Sequence, residues 1–200
     1  MPRHYDKNTT SFIKFDLLSA NQGIHRWGPQ FQRRRNSWKV YSGQWEVQSS
    51  VRLRYLCNPK VKTGENLSVV GSPRWNNFIF HANFKIFTDT LKPPEGGVIL
   101  YFLFKNIKNF YSFHFCLFKQ KIEYIKRIHG VWSSIAEQNY NIKAEKEYGI
   151  EISTISGIHS CRINGEELLL SGDKDIPKGR VGIGVKYCNA EFNHLSVSPL

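Results

Sequence analysis

The stretch from Gly97 to Ile128 constrains this chain more than any other. It reads GVILYFLFKNIKNFYSFHFCLFKQKIEYIKRI, three strand-like runs separated by two turns. Val98–Phe104 is apolar on both faces. In Phe110–Phe118, Tyr111, Phe113, Phe115 and Leu117 point one way, and Ser112, His114 and Cys116 the other. Lys121–Ile128 alternates apolar with charged residues. β-Branched and aromatic residues at period two, bounded by turn residues, make strands rather than helix. A run that is apolar on both faces needs cover on both sides, so this sheet is expected to lie against a second one.

The remaining segments repeat the pattern. Strands are expected at Ser11–Leu18, Trp38–Tyr41, Gln44–Gln48, Val51–Leu56 and Asn76–Phe87. More follow at Val131–Glu137, Glu147–Thr154, Ile158–Ile163, Glu167–Leu170, Arg180–Tyr187 and Glu191–Val197. In Asn76–Phe87 one face gathers Phe78, Phe80, Ala82, Phe84 and Ile86. Asn164-Gly165 marks a hairpin, because both residues tolerate positive φ. Short strands with regular turns and no amphipathic helix give an all-β fold, an antiparallel two-sheet sandwich. Residues 1–10 are expected to be a loose, polar N-terminus and 11–200 a single β-sandwich domain, with residues 21–37 as a long loop.

A chain of 200 residues can bury a large core without disulfides. Its four cysteines, Cys57, Cys116, Cys161 and Cys188, form no Cys-x-x-Cys pair and are expected to be free structural thiols. The seven histidines form no His-x-x-x-His pair, so spacing predicts no metal site, and no cofactor is expected. No run is long enough to cross a membrane, and MPRHYDKNTTSF lacks the apolar core of a signal peptide. Cytoplasmic localisation is the default expectation unless a leader has been removed. The formal charge of +12 attracts nucleic acid, acidic lipid or anionic glycan without choosing among them.

Several segments carry a resemblance. They are Gly43-Gln44-Trp45-Glu46-Val47, Trp75-Asn76-Asn77-Phe78, Gly96-Gly97-Val98 and Phe110-Tyr111-Ser112-Phe113. They continue with Glu147-Tyr148-Gly149-Ile150-Glu151-Ile152, Ile163-Asn164-Gly165-Glu166-Glu167-Leu168, Ile176–Gly184 and Ala190–Val197. Over roughly residues 38–198 the chain resembles the concanavalin A-like (laminin G/glucanase-type) jelly rolls, in particular lectin-like domains grouped with family 16 glycoside hydrolases and the 3-keto-disaccharide hydrolase domain. The resemblance implies a jelly-roll topology and a carbohydrate partner. The chain departs from that family type at Asn193, where Asp is frequent, and in Val98–Phe104, where an Arg is frequent. The first departure weakens a calcium site, since a carboxylate becomes an amide.

The glucanases of this fold carry their catalytic carboxyls as Glu-x-Asp-x-x-Glu. Glu145, Glu147 and Glu151 match this only superficially. Tyr148, Ile150 and Ile152 form the apolar face of that strand, which places the glutamates on the solvated one. A non-catalytic, lectin-like module is therefore expected, although a glycoside hydrolase-like site assembled from distant residues stays open. Sugar rings stack on aromatic platforms while polar side chains fix their hydroxyls. Trp75, Tyr101, Tyr111, His114, Arg127 and Trp132 are the residues expected to line such a groove. The plainer reading makes Trp75 and Trp132 plugs at the edge of the core and His114 a half-buried strand residue. A competing partner is an anionic polymer or nucleic acid, held by Arg33, Arg34 and Arg35 among Trp27, Phe31 and Trp38. A purely architectural protein-interaction module is a further alternative.

Overall fold

The computed structural model describes residues 13–14, 38–43, 45–49, 52–55, 65–87 and 95–200. Residues 1–10, the expected loop at 21–37 with Arg33, Arg34 and Arg35, and Cys57 lie outside the described residues.

All regular structure among the described residues is β. The strands are β1 (Ile13–Lys14), β2 (Lys39–Val40), β3 (Trp45–Ser49), β4 (Arg52–Tyr55) and β5 (Glu65–Val70). Next come β6 (Phe78–Phe87), β7 (Gly97–Asn106), β8 (Asn109–Cys116), β9 (Lys121–Ile128) and β10 (Val131–Asn139). The last are β11 (Glu147–Ile155), β12 (Ile158–Ile163), β13 (Glu166–Gly172), β14 (Arg180–Lys186) and β15 (Asn189–Pro199). They form two antiparallel sheets. The front sheet has seven strands in the order β10-β9-β8-β7-β14-β5-β2. The back sheet has eight, in the order β13-β12-β11-β6-β15-β4-β3, with β1 also pairing β15. No helix of the described residues is long and apolar enough to cross a membrane.

The core lies between the sheets. β6 contributes Phe78, Phe80, Ala82, Phe84 and Ile86, all buried, with the intervening residues partly exposed, as the period-two reading requires. Val98, Leu100 and Phe102 of β7 meet them from the front, alongside Tyr111, Phe113 and Phe115 of β8. β5 was not foreseen. In Glu65–Val70, Asn66 and Ser68 alternate with Leu67 and Val69, and all four are buried, so polarity does not mark this strand's exposed side.

The outer face of the front sheet has its own apolar cluster of Leu67, Val69, Ile99, Tyr101, Phe104 and Phe110, with Tyr41 packed against it. The cover expected on both faces of β7 is therefore a second sheet on one side and this ring cluster on the other. A bulge in β7 makes the cluster possible. The pairing with β8 shifts register between Phe102 and Asn106, and Leu103 takes φ +47°, a costly backbone for a branched residue. The extra residue keeps Leu103 in the inter-sheet core and sends Phe104 outward to stack on Phe110 at 5.7 Å. Gly179 passes against this bulge, where a Cβ would stand 2.1 Å from the Leu103 carbonyl carbon.

Candidate functional site

Strand register explains how side chains assemble on the outer front face. Antiparallel partners lie side by side on one face, so each paired row becomes a line of neighbours. One row runs Gly184, Ile99, His114, Glu123 and Glu137 across β14, β7, β8, β9 and β10. The next runs Gly182, Tyr101, Ser112, Ile125 and Ser134. A third aligns Phe110, Arg127 and Trp132. These rows enclose a hollow of ≈ 290 Å³ bounded by Glu65, Glu95, Ile99, Ser112, His114, Glu123, Ile125, Trp132 and Lys186.

Trp132 forms the rim. The β9–β10 hairpin turns at His129 and Gly130, with φ +51° and +89°, the paired positive angles of a tight two-residue turn. That turn brings Trp132 opposite Arg127. The guanidinium carbon sits 4.9 Å from the indole centre, and Phe110 meets the ring edge-to-face at 5.5 Å. Arg127 is pinned in turn, since Nη1 donates to the Ile107 carbonyl at 2.7 Å and Nε to that of Gly130 at 3.2 Å. The indole is thus held at a fixed angle while 47% exposed.

His114 and Glu123 form the floor, with Cys116 against Glu123. His114 is only 5% exposed, and its Nε2 has no hydrogen-bond partner among the described residues. Its Nδ1 lies 3.6 Å from Glu123 Oε2, to which the Cys116 thiol donates at 3.5 Å. The other oxygen, Oε1, faces Lys121 at 3.1 Å and Lys119 at 3.5 Å. His114 first and Lys121 next hold the Glu123 carboxyl well below the usual range. Burial, with Glu123 beside it, pushes the Cys116 thiol up to about 12.

The six residues expected to line a groove divide. His114 and Trp132 bound the hollow, and Arg127 supports Trp132. Tyr101 does not line it as a platform. It is fully buried with its ring over Gly184, whose missing Cβ would stand 2.6 Å from Tyr101 Cε2. Its hydroxyl donates to Glu65, and burial above all raises its pKa well above the ordinary value. The bare glycine strand face legible in the sequence is thus the slot for this ring. Tyr111 belongs to the opposite face of β8. It lies in the inter-sheet core, donates to Asp173 and accepts from the Ile176 amide at 3.2 Å, so its ring is out of reach of the hollow. Trp75 packs on Phe78 at 6.1 Å and over Gly71, as an edge-of-core plug remote from Trp132. Glu65, Lys186 and the Glu123–Cys116 pair were missed. Period two places Cys116 on the His114 face, but only the register between β8 and β9 reveals Glu123.

The outer back face offers a wider, shallow depression of ≈ 630 Å³ around His81, Asn83, Glu151 and His194. There Glu147 accepts from Asn83 at 3.3 Å and Asn193 at 2.8 Å, while Arg162 pairs with Glu151 at 3.2 Å. Glu147 and Glu151 sit on this outer face, with Tyr148, Ile150 and Ile152 turned into the core. At Asn193 the amide acts as a donor, a role a carboxylate could not fill.

No family model and no curated protein matches the chain in sequence. In structure it is similar to CBM66, a carbohydrate-binding module from Bacillus subtilis, with TM-score 0.69 and 17% identity over 80% of this chain and 94% of that one. It is also similar to the VIP36 exoplasmic/lumenal domain in its Ca2+/Man3GlcNAc-bound form, with TM-score 0.58 and 13% identity over 82% and 83%. Galectin LEC-6 of Caenorhabditis elegans gives TM-score 0.51 and 13% identity over 68% and 91%. These likenesses establish the fold, a concanavalin A-like β-sandwich, as the resemblance in sequence implied.

Proposed function

We propose that this chain is a non-catalytic, lectin-like carbohydrate-binding module that holds a sugar in the hollow on the outer face of the front sheet. One observation carries the reading: a half-exposed indole, clamped by Arg127 and Phe110, stands beside a buried imidazole whose Nε2 lacks a partner among the described residues. The indole serves as the platform for the apolar face of a pyranose ring, and Nε2 meets a hydroxyl. Ser112, Glu65 and Lys186 supply further polar groups around the same space. The carbohydrate-binding module and the Man3GlcNAc-bound VIP36 domain among the structural neighbours support the same class of ligand.

Magnitudes set what the site must do. An aromatic contact contributes about 0.5–1.5 kcal/mol, whereas millimolar affinity requires about 4 kcal/mol. The platform alone is insufficient. Satisfying a buried, unpaired polar group adds about 1–3 kcal/mol, which brings weak sugar binding within range.

A glycan array read at low and high salt tests the proposal. Binding that barely responds to salt and weakens in Trp132→Ala is the expected result. Binding that collapses with salt and is lost in the Arg33→Ala, Arg34→Ala double variant would replace it with a polyanion reading, because counterion release then drives association. The absence of any glycan ligand would favour an architectural module.

A further inference from the structure

We propose that His114, Cys116 and Glu123 form a binding site for a divalent transition metal, with zinc the best fit, at the edge of the front hollow that His114 and Glu123 line. His114 and Cys116 are two residues apart on β8, so both side chains leave the same face. Glu123 on β9 is the register partner of His114. One donor atom from each of the three lies within 4.8 Å of the others. Around a tetrahedral zinc, with bonds of about 2.0–2.3 Å, neighbouring donors stand about 3.4–3.7 Å apart. The His114 Nδ1 and Cys116 Sγ distances to Glu123 Oε2, 3.6 and 3.5 Å, fall in that range.

The donor set selects the metal. An imidazole, a thiol and a carboxylate suit zinc and its neighbours, whereas calcium and magnesium require oxygen throughout. Lys119 and Lys121 occupy Glu123 Oε1, which leaves Oε2 to the cluster. On binding, the metal takes the place of the thiol proton that Cys116 now donates to Oε2.

His114 supplies the second, independent observation. It is 5% exposed, lines the hollow, and keeps Nε2 without a partner among the described residues. Metal on Nδ1 fixes the ring proton on Nε2 and so makes that nitrogen a donor. Three protein donors leave a fourth position for water or an outside ligand. The site stands whether or not a sugar binds, since Trp132 is not one of its donors.

Cobalt titration of the reduced full-length chain tests it. About one equivalent of Co2+ is expected to give a thiolate-to-cobalt charge-transfer band in the near ultraviolet, and Zn2+ should abolish it. Cys116→Ser should remove the band, and His114→Asn and Glu123→Gln should each weaken Co2+ binding by about tenfold or more. Cys57→Ser should leave it unchanged. Circular dichroism checks that each variant is folded; if Cys116→Ser is not, Glu123→Gln and Cys57→Ser decide. No band in the wild type, a band that survives folded Cys116→Ser, full affinity in Glu123→Gln, or loss in Cys57→Ser would each overturn the proposal.

Discussion

On the outer back face, polar side chains answer one another: Glu147 accepts from Asn83 and Asn193, and Glu151 is held by Arg162. On the outer front face, apolar side chains form a cluster of their own, and His114 Nε2 is buried without a partner among the described residues, as Asn193 Oδ1 is at the back. Both faces come from alternating antiparallel strands, so alternation does not distinguish them. What separates them is what a ligand would gain. At the back it must displace hydrogen bonds already made, a near-neutral exchange. At the front it meets an exposed ring and an unsatisfied nitrogen, where each new contact is a net gain.

The largest expected effect is on stability. Phe110 is 1% exposed and carries Trp132, Phe104 and Tyr101, so Phe110→Ala should cost about 3–5 kcal/mol in urea unfolding. Asn83→Ala on the back face should cost about 1 kcal/mol, the scale of one net hydrogen bond. Equal losses would mean that the front rings are not a second core.

A buried histidine between the sheets gives a pH test of the shared core. His159 lies between the sheets beside the Tyr124 hydroxyl, and burial lowers its pKa to about 4. Above pH ~6.5 the ring is neutral in folded and unfolded chains alike, so it adds no pH dependence. As pH falls from there towards 4, only the unfolded chain gains the proton, and stability drops by about 3 kcal/mol. Urea midpoints measured between pH 7 and 4 should show this loss in the wild type and a flatter profile in His159→Gln. Parallel profiles would remove His159 as the cause.

Effects on binding are smaller. Trp132→Ala should weaken a bound glycan by about 1–1.5 kcal/mol, roughly 5- to 10-fold by calorimetry, with the domain still folded. The smallest effect belongs to the back face. Glu147→Gln should leave glycan affinity unchanged and stability within about 1 kcal/mol, because an amide oxygen still accepts from Asn83 or Asn193.

Most of the sandwich was legible in the sequence because period two survives wherever one face is buried, as in β6 and β11. It failed where that link breaks. β5 hides because Asn66 and Ser68 are buried alongside Leu67 and Val69, and the β7 bulge reverses the face of Phe104. The site was half legible. His114 and Trp132 could be picked out as a strand residue opposite a bulky face and a ring after a turn. Alternation alone already sets Tyr111 with Phe113 and Phe115, opposite His114, whereas Tyr101 does face outward but fills the slot over Gly184. The His114–Cys116–Glu123 cluster follows no helix or turn spacing, since two of its residues alternate on β8 and the third lies across the register on β9. On a hairpin the signal is His-x-Cys plus a carboxylate on the paired strand.

The central claim is that a sugar occupies the front hollow and not the back depression. Nuclear magnetic resonance titration with an oligosaccharide selected on the array tests it most directly. The account predicts saturable shifts of the Trp132 indole N–H and the His114 ring, with the Asn83 and Asn193 side-chain amides unmoved. Shifts confined to those amides, with Trp132 and His114 silent, would contradict it.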